Sequence, residues 1–213
     1  MPDKSCDWRF MFSLAIKNIT GHTEYFFLME LTTQCELAKS AYRRLVDYSR
    51  AEINKQQSAI FFDSDEAFKV VADCTLFLSA TSMIAKLLFF RKSKNADTSY
   101  RASVRASKLR TKIGIDEFPS LNSTTVRNHF EHADERLDKI IHDHPEEYIC
   151  QFHISRELPE HPVVLRRFDP VSLSISFLGD TVDLQACMEK IEKLEILLTE
   201  AKKSSLDKKR AKK

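Results

Sequence analysis

Glycine is nearly missing: Gly21, Gly114 and Gly179 are the only three in 213 residues. No two stand close together. That excludes phosphate loops of the Rossmann and Walker types, which cluster glycines at a strand-to-helix turn. A shortage of tight turns fits a mainly helical chain. Cysteine is present but unpatterned. Cys6, Cys35, Cys74, Cys150 and Cys187 are odd in number and show no CxxC spacing, which argues against a zinc knuckle or a disulfide frame. They read as buried thiols in a reducing compartment. No signal-peptide layout opens the chain, because Asp7, Trp8 and Arg9 interrupt any apolar run. The longest uncharged run, Cys74 to Ala85, is shorter than the ~20 residues that span a bilayer. The cytoplasm is the expected location, with no membrane partner.

What is present suits one soluble domain with an appendage: 43% of residues are hydrophobic and 30% charged, enough to build a core. The net charge of +2 hides strong patterning. Lys202 to Lys213 carries seven basic residues and one acidic, and Arg91 to Lys112 carries eight basic residues against Asp97. Everything else is therefore acidic in sum. Two basic patches on an acidic body suggest contact with a polyanion. The alternative is a solvated tail and a solvated helix face.

Residues 1–21 mix Trp8, Phe10, Phe12, Leu14, Ile16 and Ile19 and read as a cover segment, either a short helix or extended chain. From His22 to about Gln57, Leu28, Leu31, Cys35, Ala38, Tyr42, Leu45 and Ser49 keep the three-four spacing of a long helix. A second long helix is expected from Asp65 to about Lys92. Its middle is apolar nearly all round, as in the central helix of a bundle, and it also suits a subunit interface. Asn95 to Thr98 caps a short basic helix carrying Arg101, Arg105, Lys108 and Arg110, the candidate polyanion contacts. Gly114 and Pro119 close it. A fourth helix follows from Leu121 to His144, with Val126, Phe130, Ala133, Leu137, Ile140 and Ile141 on one stripe and Pro145 as its stop. Four helices with short connections over 22–145 predict an up-and-down bundle.

Beyond Pro145 the apolar period changes to two. Tyr148, Cys150, Phe152 and Ile154 alternate, as do Leu173, Ile175 and Phe177 among serines. The expectation is a small antiparallel β-meander at about 148–154, 163–168 and 171–178. Asp183 then caps a last helix with Leu184, Cys187, Met188, Ile191, Leu194 and Leu198 on its apolar face. Meander and helix together occupy 146–203, and 204–213 reads as a disordered basic tail.

The densest ionisable stretch is the fourth helix, which holds Arg127, His129, Glu131, His132, Asp134, Glu135, Arg136 and Asp138. Zinc-protease spacings are absent there: HxxEH, with Glu131 and His132 in its last two places, would need a histidine where Asn128 stands. No metal is expected, and no serine or cysteine sits in a nucleophile frame. What remains is Arg127-Asn128-His129-Phe130-Glu131-His132. It resembles the R-x4-6-H motif of the HEPN superfamily, small bundles whose long antiparallel helices support a later helix bearing the motif. The resemblance extends over about 22–144 in layout and over six residues in chemistry, with the meander and last helix as additions.

The resemblance implies metal-independent, cofactor-free endoribonuclease activity, a hydrolase reaction at a groove between two protomers. The residue types suit it. A histidine titrating near neutrality, His132, can take the proton of a 2′-hydroxyl. Arg127 can hold the phosphate with its planar fork, and Asn128 can orient either. Five residues apart on a helix, Arg127 and His132 point about 140° from each other. A homodimer, with Arg127 of one chain near His132 of the other, is the expected arrangement. Many relatives act as toxins or in defence, so a protein regulator or antitoxin is an implied partner. In members modified by a partner nucleotidyltransferase, a tyrosine stands two places after the histidine; here that place is Asp134. Two other readings compete. Arg127–Glu131 and Glu135–Lys139 are ordinary helix-surface pairs, which fits a non-catalytic dimerising interaction module. The basic segments alone fit a nucleic-acid binder.

Overall fold

A computed structural model describes residues 23–55, 65–89, 95–115, 133–143, 145–146, 149–155, 163–178 and 180–210. The long stripe that begins at Leu28 forms α1, Thr23–Lys55. Leu28, Leu31, Cys35, Ala38, Leu45 and Ser49 are buried along it, while Tyr42 is half-buried. Helix α2 is Asp65–Leu88, with Asp65 and Glu66 in its first turn and Lys86 in its last, each sign matched to the helix dipole. The two run antiparallel: Arg44 meets Asp73 at 2.6 Å, and the Tyr42 and Phe77 rings lie 6.4 Å apart.

Helix α3, Ala96–Ile113, begins and ends by local chemistry. The Asn95 side chain accepts the Thr98 N–H at 3.1 Å, supplying one of the orphan donors of a first turn. Gly114 takes φ +75°, and its N–H donates to the Arg110 carbonyl at 2.8 Å. A side chain at that φ would be strained.

Helix α4 is Ala133–Asp143, within the stretch expected as the fourth helix; residues 121–132 and 144 of that stretch lie outside the described residues. None of its described side chains, 135–143, belongs to the buried core; Leu137 and Ile140 are half-buried and Ile141 is 50% exposed. The helix that packs on α1 opposite α2 is α5, Leu184–Arg210, expected as an addition to the bundle. Its buried stripe runs unbroken through Leu184, Cys187, Met188, Ile191, Leu194, Leu198 and Ala201. Asp183 caps α5 as expected, accepting the Ala186 N–H at 2.9 Å. The helix continues to Arg210, so residues 204–210 are helical where a disordered tail was expected.

The sheet corrects the meander. Six short strands are described: β1 (Ile149–Cys150), β2 (His153–Ile154), β3 (Val163–Val164), β4 (Arg166–Asp169), β5 (Ser174–Phe177) and β6 (Asp180–Asp183). The larger sheet has the order β2-β4-β5-β6, and β1 pairs with β3 separately. The β2–β4 and β1–β3 pairs are parallel, whereas β4–β5 and β5–β6 are antiparallel. Period-two alternation fixes which face a residue takes and carries no information about strand direction. Residues 171–173, expected in a strand, lie in a turn where Asp169 Oδ1 accepts the N–H of Val171 at 2.8 Å and of Ser172 at 3.2 Å. Strand β6 was missed because Val182 is its lone buried residue.

Across the four strands Ile154, Phe168, Ile175 and Val182 stand in register, all buried. This row joins the sheet to the helical core in one apolar cluster. The Tyr48 ring of α1 lies 6.3 Å from that of Phe168, and the Ser49 hydroxyl donates to the Pro170 carbonyl. The molecule is therefore mainly helical with a small sheet packed on the C-terminal half of α1.

Candidate functional site

Arg127, Asn128 and His132 lie outside the described residues. The described chain resumes directly after the motif, at Ala133 on α4. The four candidate RNA contacts are all on α3, and they divide into two pairs. Arg105 donates to the Lys86 carbonyl at 3.3 Å, with its guanidinium 5.1 Å from the centre of the Phe27 ring. Arg110 donates to the Leu88 carbonyl at 3.2 Å and lies 5.7 Å from the Phe89 ring centre. Both serve the last turn of α2, whose carbonyls have no partner within their own helix and whose dipole attracts cations. These two arginines hold α3 to α2, and that local task accounts for their charge.

Arg101 and Lys108 behave differently. Both are exposed, and at seven residues' separation they share one face of α3. Arg101 has a weak surface contact with Asp97 at 3.4 Å, with both side chains more than 80% exposed. Tyr100, 71% exposed, is their neighbour. Two exposed cations with an exposed aromatic ring preceding them on the helix suit a nucleic-acid backbone with an unstacked base.

A cleft that the sequence reading overlooked opens between α1 and the start of α2. Its volume is about 640 Å³, and Arg44, Tyr48, Asp65, Lys69 and Asp73 are in its wall. Arg44 grips Asp73 through Nε at 2.8 and 3.0 Å and through Nη2 at 2.6 Å. That hydrogen bonding holds the guanidinium still more firmly protonated than usual. The signal available was the four-residue spacing of Asp65, Lys69 and Asp73, which puts them on one side of α2.

The thiols are removed from chemistry. Cys35, Cys74, Cys150 and Cys187 are free and buried. Burial, with the Glu195 carboxylate adding to it, pushes Cys35 up to about 12, and burial pushes Cys187 up to about 11. A nucleophile needs the opposite shift. Among the described residues no group of three or more histidine, cysteine or acidic side chains is placed to hold a metal ion. Helix α2 is long and apolar enough to cross a membrane, and 56% of that stretch is buried inside the molecule. No protein-family model matches the chain, and neither a curated protein nor a solved structure matches it.

Proposed function

We propose that this chain is a HEPN-type protein that cleaves RNA without a metal, at a site completed by two copies of the chain. Arg127 binds the scissile phosphate, His132 acts as general base on the 2′-hydroxyl, and Asn128 orients them. The observation that carries the reading is the position of the motif. It ends one residue before α4, a helix whose described side chains are excluded from the buried core. Further support comes from the long antiparallel α1 and α2 and from Arg101 and Lys108, whose exposed charges suit guidance of an RNA backbone. The buried, unbridged thiols agree with a reducing cytoplasm.

The test is cleavage of single-stranded RNA by purified protein in EDTA. His132→Ala and Arg127→Ala should each lower the rate by 100-fold or more, on the order expected for general base and phosphate-binding groups. Equal activity in both variants would sink the assignment. A second reading, a non-catalytic interaction module, is favoured by the partly uncovered apolar residues Leu137, Ile140 and Ile141 of α4. It expects no cleavage from any variant and loss of a protein partner on Ile141→Asp.

A further inference from the structure

Helix α2 is more apolar than a one-sided core helix needs to be, and the fold covers only part of it. The side left open is uncharged over most of its length. Between Lys69 and Lys86 the exposed residues are Ala72, Thr75, Ser79 and Met83. They recur at three-four spacing and form a stripe. Phe68, 58% exposed, extends it at one end, and Met83 is 39% exposed at the other. From Phe68 to Met83 the stripe is roughly 22 Å long at 1.5 Å per residue. Its centre is made of small side chains, which lets another helix approach closely. The Thr75 hydroxyl already donates to the Val71 carbonyl at 2.8 Å, so covering it strands no donor.

Four of the five stripe residues, Phe68, Ala72, Ser79 and Met83, are placed symmetrically about a point between Thr75 and Leu76. When a second α2 is laid against it end for end, Ala72 falls opposite Ser79 of the second copy, and Phe68 falls opposite its Met83. Large residues then flank a small-residue centre on both sides. The charges at the ends obey the same symmetry. Asp65 and Lys86, both exposed, fall opposite each other twice. A parallel arrangement would instead put Asp65 beside Asp65 and Lys86 beside Lys86. Charge complementarity therefore selects one occupant and one orientation.

We propose that the open face of α2 is a homodimer interface, in which two α2 helices pack antiparallel across a two-fold axis passing between Thr75 and Leu76. A helix pair of this length falls at or below the ~1,000 Å² lower end of stable interfaces. The dimer is accordingly concentration-dependent. The inference stands on α2 alone and supplies the second copy that the RNA-cleaving reading requires.

The test uses the full chain and reads association, not activity. Sedimentation across the micromolar range should show a reversible monomer–dimer equilibrium. Ser79→Arg, at an exposed position, should leave the helical circular dichroism unchanged and shift the chain to monomer. Asp65→Lys should weaken dimerisation about tenfold, as two surface ion pairs become repulsive, and adding Lys86→Asp should restore it. In a Cys6→Ser background, Thr75→Cys should form a disulfide-linked dimer on mild oxidation, while Ile196→Cys on α5 should not. A dimer that Ser79→Arg leaves intact and Thr75→Cys fails to cross-link would overturn this interface while leaving a composite RNA site standing. A chain that stays monomeric overturns both, including one that instead binds phosphatidylcholine vesicles through α2.

Discussion

Lys39 on α1 and Glu195 on α5 are 156 residues apart in sequence and 2.8 Å apart in space. Seven residues before Lys39, Thr32 accepts a hydrogen bond at 3.1 Å from Lys202, seven residues after Glu195. The two contacts fix an antiparallel register for the longest-range packing in the molecule. The Lys39–Glu195 pair is about four-fifths covered, with side-chain exposures of 20% and 19%. Its hydrogen bond raises the lysine above its ordinary value.

Lys39→Met should therefore cost about 1–2 kcal/mol in urea unfolding, because it leaves a largely covered carboxylate without its partner. The pH dependence has a definite sign. A lysine whose folded pKa is raised contributes fully below its unfolded value, ~10.4, and the contribution is lost as pH rises through the folded value. The stability gap between native and Lys39→Met protein should stay flat up to about pH 10 and narrow above it. A gap that widened in alkali would contradict the pairing.

The basic residues of α3 should separate by assay. Arg105→Ala and Arg110→Ala should each lower stability by about 1 kcal/mol, since each removes a carbonyl contact at the end of α2. Arg101→Ala and Lys108→Ala should leave the melting temperature within experimental error. Instead, they should weaken RNA binding and reduce its salt slope by about one unit each. Thermal melts and filter binding at several salt concentrations measure the two effects. An unaltered salt slope in the Arg101→Ala, Lys108→Ala double variant would remove α3 from the RNA path.

The buried thiols predict alkaline sensitivity. Cys35 ionises in the folded chain at about 12 and Cys187 at about 11, well above an unfolded thiol at ~8.5. A group with a raised folded pKa stabilises fully below its unfolded value and loses that contribution as pH rises toward the folded one. Each thiol should thus add a slope of about 1.4 kcal/mol per pH unit to the loss of stability above pH ~9. In native protein Cys35, Cys74, Cys150 and Cys187 should resist a thiol reagent until denaturant is added. Rapid labelling of any of them without unfolding would contradict their burial.

Much of the helical layout was legible because long stripes are strong physical signals. Leu28 through Ser49 and Leu184 through Leu198 each repeat often enough to define a buried face, and Asn95, Gly114 and Asp183 mark helix ends by hydrogen bonds local in sequence. Which helix would cover which face was not legible. An amphipathic stripe shows that a face of α5 is buried without showing against which element. The parallel β2–β4 pair was hidden for a related reason, since alternation at Phe152, Ile154 and Phe168 is identical for either direction. The candidate site was legible as residue types, but the tasks of Arg105 and Arg110 depend on carbonyls of another helix. Nothing in their own neighbourhood distinguishes them from Arg101 and Lys108.

The α1–α5 register also governs how the chain is made. Helix α1 is synthesised before α5, the element that covers its second flank. Until residues 184–201 have left the ribosome, Leu28, Leu31 and Cys35 lack part of their shelter, and a nascent chain stalled before Leu184 exposes them to chaperones and proteases. Arrival of α5 is thus the event that commits α1 to its native surroundings, and loss of residues 184–201 is more damaging than their distance from the motif suggests.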